Sequence, residues 1–226
     1  NSSGVNGTLA TNSTIFVGNG GQVADTAKLW IEAAGGVISN AIVVNQGNTG
    51  TRFIGGLNAS GTNTYTGGIS VNSGNGVNLE AQTNGATRFN GVITGSGGIT
   101  KVGGGTVILA NNNTYTGITT VSAGILQIGA GGGGGMVGTN QVVNNATVVF
   151  NRGGNSATYS GGTISGTGRV TVAGSAPIYI LTNNTFSGGA TIAENATVRV
   201  GVSSSFSGTT ITGGALGVGS LTLSNG

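Results

Sequence analysis

Apolar and polar residues alternate along most of the chain with a period of two. Arg169-Val170-Thr171-Val172, Ala196-Thr197-Val198-Arg199-Val200, Val77-Asn78-Leu79-Glu80-Ala81 and Leu221-Thr222-Leu223 all read this way. That pattern belongs to half-buried strands, with one face on a core and one in water. Gly- and Asn-rich breaks, such as Asn111-Asn112-Asn113, Gly103-Gly104-Gly105 and Asn183-Asn184, separate the strands. Both residues tolerate the positive φ that sharp corners require. One stretch, residues 24–34, reads two ways. Asp25 could cap a helix there, but Leu29 and Ile31 alternate with Lys28, Trp30 and Glu32, and the apolar pattern runs on through Val37, Ile38, Ile42 and Val44. The strand reading is preferred.

A second pattern overlies the first. An aromatic residue, a small polar residue and a glycine precede a β-branched segment at Phe53, Tyr65, Phe89, Tyr115, Tyr159, Phe186 and Phe206. From Tyr65 onward the copies recur at intervals in the twenties, with one exception. The interval from Tyr115 to Tyr159 is near twice the others, which suggests a copy without its aromatic. A direct repeat of this length marks a solenoid in which each unit is one turn of the stack. A β-sandwich would also use short strands and sharp corners, but the chain has no two-residue Asn-Gly or Asp-Gly hairpin between long matched strands. The expectation is an all-β parallel β-solenoid of roughly nine or ten coils, stacked at about 4.8 Å into a rod about 45 Å long. The recurrent aromatics are expected to stack in one column. All 226 residues form one domain, with divergent coils over residues 1–50 and the repeat region over residues 51–226.

Composition agrees. Glycine accounts for 49 residues, too many for a mainly helical fold. There is one proline and no triplet period, which excludes collagen. Hydrophobic residues make up 36% and charged residues 5%, so the chain can bury a core and does not read as disordered. The net charge of +3 comes from cations scattered singly, among them Arg52, Arg88, Lys101, Arg152, Arg169 and Arg199. Nucleic-acid binders cluster such residues, so no nucleic-acid partner is expected. Cysteine is absent, which removes disulfides, thiolate metal sites and cysteine nucleophiles. The N-terminal residues are polar and form no leader, so export implies removal of one. Apolar runs such as residues 107–110 are too short to cross a bilayer as a helix.

The segment Gly95-Ser96-Gly97-Gly98-Ile99-Thr100-Lys101-Val102-Gly103-Gly104-Gly105-Thr106-Val107-Ile108-Leu109 continues through Asn113-Thr114-Tyr115-Thr116-Gly117 to Gly124-Ile125-Leu126-Gln127-Ile128. It resembles the autotransporter-associated β-strand repeat of bacterial surface proteins. Partial copies cover residues 62–71, 159–172, 183–200 and 206–223, and the first fifty residues match poorly. The resemblance implies a right-handed parallel β-helix that is exported and displayed at, or released from, the cell surface. It also implies that any membrane attachment is through a C-terminal barrel not present in this chain. The family includes adhesins, aggregation factors and toxins, so fold alone does not give function.

Candidate chemistry is sparse. The acids are Asp25, Glu32, Glu80 and Glu194, and there is no histidine. Acid/base and metal chemistry need paired or clustered groups. No catalytic, cofactor-binding or metal site is therefore expected. The glycine run at residues 131–135 is followed by Met136-Val137 rather than Lys-Ser or Lys-Thr, so it reads as a flexible loop extruded from the rod. Thr-x-Thr pairs recur too irregularly for a regular threonine array, and the eight Asn-x-Ser/Thr sequons are no more than this composition would supply. The leading expectation is a non-enzymatic, rod-like adhesin or passenger scaffold that meets a host or neighbouring cell surface or a glycan. Trp30 and Tyr179 are its candidate exposed contact aromatics. Self-association into an end-to-end fibre and a toxin or host-signalling role are the alternatives.

Overall fold

The computed structural model describes residues 12–18, 26–45, 50–72, 74, 76–159, 161–207 and 210–224. Asp25, the candidate cap, lies outside them. Short strands wind through three faces in a repeating order, and each pairs in parallel with strands of neighbouring coils. Among the described residues the first face holds seven strands, Ala27–Ile31, Arg52–Gly56, Val77–Ala81, Ile99–Val102, Thr119–Val121, Val142–Asn144 and Ile164–Ser165. The second face is the longest, with nine strands running from Val37–Ile38 to Leu221–Leu223. The third side carries Ile15–Val17, Ile42–Val44, Ile69–Val71 and Ile93–Thr94 in the first half. It carries Ala157–Tyr159, Ile178–Ile180 and Val198–Val200 in the second half.

This is a parallel β-solenoid of about eight turns, somewhat fewer than the nine or ten expected. The difference lies in the last repeat. The Phe206 copy forms no coil: Ser205–Ser207 pairs antiparallel with Thr210–Gly213. The second face then resumes where Ile192 pairs with Leu223. The segment read as helix or strand is a strand, Ala27–Ile31, paired with Arg52–Gly56.

The alternation read from the sequence is the alternation of burial. Val77-Asn78-Leu79-Glu80-Ala81 alternates buried and half-buried, as do Thr106–Leu109, Ile125–Ile128 and Thr147–Phe150. In-register pairing then turns each buried position into a column along the rod. On the second face one column runs Tyr65, Phe89, Leu109, Ile128, Phe150, Val172. Beside it runs Asn63, Thr87, Val107, Leu126, Val148, Val170. Burying a Leu, Ile or Val side chain contributes about 1.5–3 kcal/mol. No coil can complete its own core, so stability is shared between neighbours.

Glycine lets the corners close. Gly91 follows Phe89 and sits against the preceding coil, where a Cβ would collide with the backbone carbonyl of Gly67. At Gly132 a Cβ would meet nothing within 4 Å. Gly91→Ala is expected to lower the thermal unfolding midpoint sharply, because rigid backbone must move to admit the methyl. Gly132→Ala should leave the midpoint unchanged or slightly raised. Circular-dichroism melts of the two variants test this, and equal midpoints would show that corner packing does not control stability.

Candidate functional site

The recurrent aromatics do not form the single column expected. Tyr65 and Phe89 do stack on the second face, with ring centroids 5.1 Å apart and planes at 14°. The Tyr65 hydroxyl lies 2.8 Å from the Gly55 carbonyl and 3.1 Å from that of Leu29, tying this column to the first face. Tyr115 is elsewhere. Its neighbours Thr114 and Thr116 donate to the carbonyls of Ile93 and Gly95, so it sits one side further round. Phe186 repeats this bonding pattern on the first face, because Thr185 and Ser187 donate to the carbonyls of Ile164 and Gly166. The Tyr115 and Phe186 rings lie against glycines of the coil after, Gly138 and Gly217, where a Cβ would overlap them. Tyr159 ends a third-side strand and meets Phe150 edge-on at 5.5 Å. Phe53 lies half-buried on the outside of the first face. The side chain of Phe206 lies outside the described residues.

The physical reason is that coil length varies while the motif does not. Asn63-Thr64-Tyr65-Thr66-Gly67 enters a second-face strand, but Asn113-Thr114-Tyr115-Thr116-Gly117 follows one. The copy without an aromatic is also explained. The Tyr115 carbonyl accepts from Thr139, and a Cβ on Gly138 would overlap the Tyr115 ring, which already fills that space.

Sequence reasoning missed the buried polar residues. Lys101 occupies an inward position on the first face, between Leu79 and Val121, and is fully buried. Its ammonium donates to the carbonyls of Val102 and Gly103 at 2.7 Å and of Ala123 at 3.1 Å. Burial lowers its pKa to about 8, and the Glu80 charge partly opposes this. Asn113 and Asn184 replace backbone ladder partners. Their side-chain carbonyls accept from Ile93 and Ile164 at 2.8 and 2.7 Å. Their amides donate at 2.7 Å to Met136 and Ala215, so each spans three coils. The signal for Lys101 was its alternation with Ile99. The asparagines share the Asn-Thr-aromatic sequence, though not one structural position.

The glycine run is not extruded. Gly131 donates to the Asn151 carbonyl, and Gly153 donates to that of Gly132, both at 2.9 Å. The buried Arg152 guanidinium donates to Gly135 at 2.6 Å and to Gly133. Burial pulls its pKa down. Arg152 therefore holds this segment on the next coil.

The two candidate contact aromatics face outward and are each covered in part by a cation of the same chain. Lys28 Nζ lies 4.4 Å from the Trp30 ring centroid and 5.4 Å from that of Phe53, and the two rings meet edge-on at 6.4 Å. Arg199 lies 5.3 Å from the Tyr179 ring and donates to its hydroxyl at 3.0 Å. Glu32 and Glu194 are exposed, and Glu80 is half-buried. No three potential metal ligands gather among the described residues.

Residues 57–75 and 99–128 match the family described as Passenger-associated-transport-repeat. A curated relative, the adhesin BmaC autotransporter of Brucella suis biovar 1 (strain 1330), is 42% identical over 64 residues. The match covers 28% of this chain and 2% of that protein, so the chain spans a small fraction of the relative's length. No solved structure matches. Fold and repeat agree: the chain is a parallel β-solenoid, and two of its segments match the passenger-associated repeat.

Three buried tyrosines give this core a pH signature. Burial raises the Tyr115 hydroxyl to about 12 and pushes those of Tyr65 and Tyr159 up as well. Below about pH 9 all three are neutral in both folded and unfolded chains. Above it the unfolded chain ionises first, so stability falls by up to about 1.4 kcal/mol per pH unit for each hydroxyl. Lys101 acts in the opposite sense between pH 8 and its unfolded value, where the unfolded chain holds the extra proton. Urea midpoints should therefore hold or rise from pH 8 to 10 and drop beyond. Tyr115→Phe should cost about 1–2 kcal/mol, because it strands the Thr119 hydroxyl that Tyr115 meets at 2.7 Å. Tyr159→Phe should be neutral or stabilising, since that hydroxyl has no hydrogen-bond partner among the described residues. Equal losses from the two variants would contradict the assignment.

Proposed function

We propose that this chain is a non-enzymatic segment of an exported, surface-exposed adhesin, acting as a rod that presents its lateral faces to a cell surface or glycan. The observation that carries this reading is the parallel stack, two segments of which match the passenger-associated repeat. The likeness to an autotransporter adhesin supports it. The distribution of ionisable groups supports the non-enzymatic part. The chain has no histidine, and Glu32, Glu80 and Glu194 fall in separate coils. A general acid/base pair or metal cluster needs such groups within reach of one substrate atom. Three of the cations, Arg52, Lys101 and Arg152, are buried and bonded to backbone carbonyls, which commits them to the scaffold. What remains outward is a set of regular, weakly charged faces, suited to extended contact rather than to enclosing a small substrate.

Beads coated with the purified chain test this directly. They should adhere to epithelial monolayers or to bacterial lawns well above albumin-coated beads, and free chain in solution should compete. Adhesion no greater than the albumin control on both surfaces would contradict the adhesive role.

A further inference from the structure

The three faces differ in charge. On the first face Lys28 and Glu80 both point outward, so their charges offset. On the third side Arg199 is engaged with Tyr179. The second face carries two cations, Arg88 and Arg169, at outward positions, and no carboxylate among the described residues. Glu32 and Glu194 lie beyond the ends of strands, at corners. The rest of that outward surface is threonine, glutamine and β-branched or small aliphatic side chains, including Thr106, Gln127 and Thr147. Its outward strand positions carry no aromatic ring among the described residues.

The spacing of the two arginines limits the partner. Four strand steps separate them through Thr106–Leu109, Ile125–Ile128 and Thr147–Phe150, which is about 19 Å. That is more than twice the Debye length of about 8 Å at physiological salt, so the two cations act as separate anion contacts. One small anion can reach only one of them. A chain bearing repeated carboxylates or sulfates can reach both, and the second contact gains from effective concentration. The planar guanidinium fork matches either group. Arg88 is partly fixed, because its Nε donates to Asn90 Oδ1 at 2.7 Å. Between the arginines, Thr106, Gln127 and Thr147 offer hydrogen-bonding groups suited to sugar hydroxyls. Base stacking, which carries single-stranded nucleic-acid binding, has no platform here.

We propose that the second face is a binding surface for an acidic polysaccharide, laid along the rod axis and held by Arg88 and Arg169. This deepens the adhesive reading by naming the partner's chemistry, and it rests on that reading for its biological sense. Binding of the purified chain to immobilised polygalacturonate, dextran sulfate, neutral dextran and single-stranded DNA tests it. The two acidic polysaccharides should bind and dextran should not, with affinity falling as salt rises. Arg88→Gln and Arg169→Gln should each weaken binding about two- to fivefold, the scale of one exposed ion contact. The double variant should approach the dextran level. Lys28→Gln and Arg199→Gln, on the other faces, should match the parent chain, and circular dichroism should show all variants folded.

Equal binding of dextran, tighter binding of DNA, or a loss in Lys28→Gln or Arg199→Gln as large as in the second-face variants would overturn the proposal. Bead adhesion separates this from the broader reading. If beads adhere but no acidic polysaccharide binds, the adhesive role stands and this surface assignment fails. If acidic polysaccharide binds through both arginines but beads do not adhere, the surface stands and the adhesive role fails.

Discussion

Everything in this molecule depends on parallel, in-register hydrogen bonding between consecutive coils. Each strand satisfies its backbone groups on the coils before and after it, not on itself. Ile42, for example, donates to Gly68 while its own coil pairs back to Ile15–Val17. That arrangement forces like positions into columns, so a residue is judged by what lies one coil away. It also sets the spacing between coils at about 4.8 Å, too close for a side chain at several corners. Glycine at Gly91 follows from this constraint and not from flexibility.

The corners raise the opposite difficulty, because there the ladder breaks and carbonyls turn into a largely apolar interior. Leaving such groups without partners costs about 1–3 kcal/mol each. The chain answers with buried polar side chains in a few places. Lys101 gathers three carbonyls, Arg152 holds two, and Asn113 and Asn184 each bridge three coils. Using cations inside the rod leaves the surface with few charges, and those that remain, Lys28, Arg88, Arg169 and Arg199, differentiate its faces. The scaffold and the candidate interaction surface are thus linked through where the chain places a handful of basic residues.

Much of the fold was legible because a period of two maps directly onto burial in a strand. Val77–Ala81 and Arg169–Val172 show it residue by residue, and the strand at Ala27–Ile31 came from the same pattern. The aromatic repeat was legible as a repeat but not as a place. Ile54 and Leu79 lie one coil apart, as do Lys101 and Val121, yet the first pair is separated by a longer stretch of chain. The same Asn-Thr-Tyr sequence therefore lands on different sides. Phe150, which shares a column with Phe89, stands in a plain strand with no motif to mark it. The role of Lys101 depends on carbonyls at Gly103 and Ala123, a juxtaposition created only when one coil lies on the next. The second face emerged in the same way, since Arg88 and Arg169 are remote in the chain and come together only as positions on one sheet.

Distances between spin labels along the second face test the stacked, in-register solenoid most directly. Thr64 is paired with Gln127, Thr171 or Thr191, all outward positions of one column. These pairs lie three, five and six strand steps apart, so the backbone separations should be about 14, 24 and 29 Å. Electron-paramagnetic-resonance distances that rise by about 4.8 Å for each step would establish the stack. Distances that fail to grow with strand number, or that shorten from Thr171 to Thr191, would contradict it.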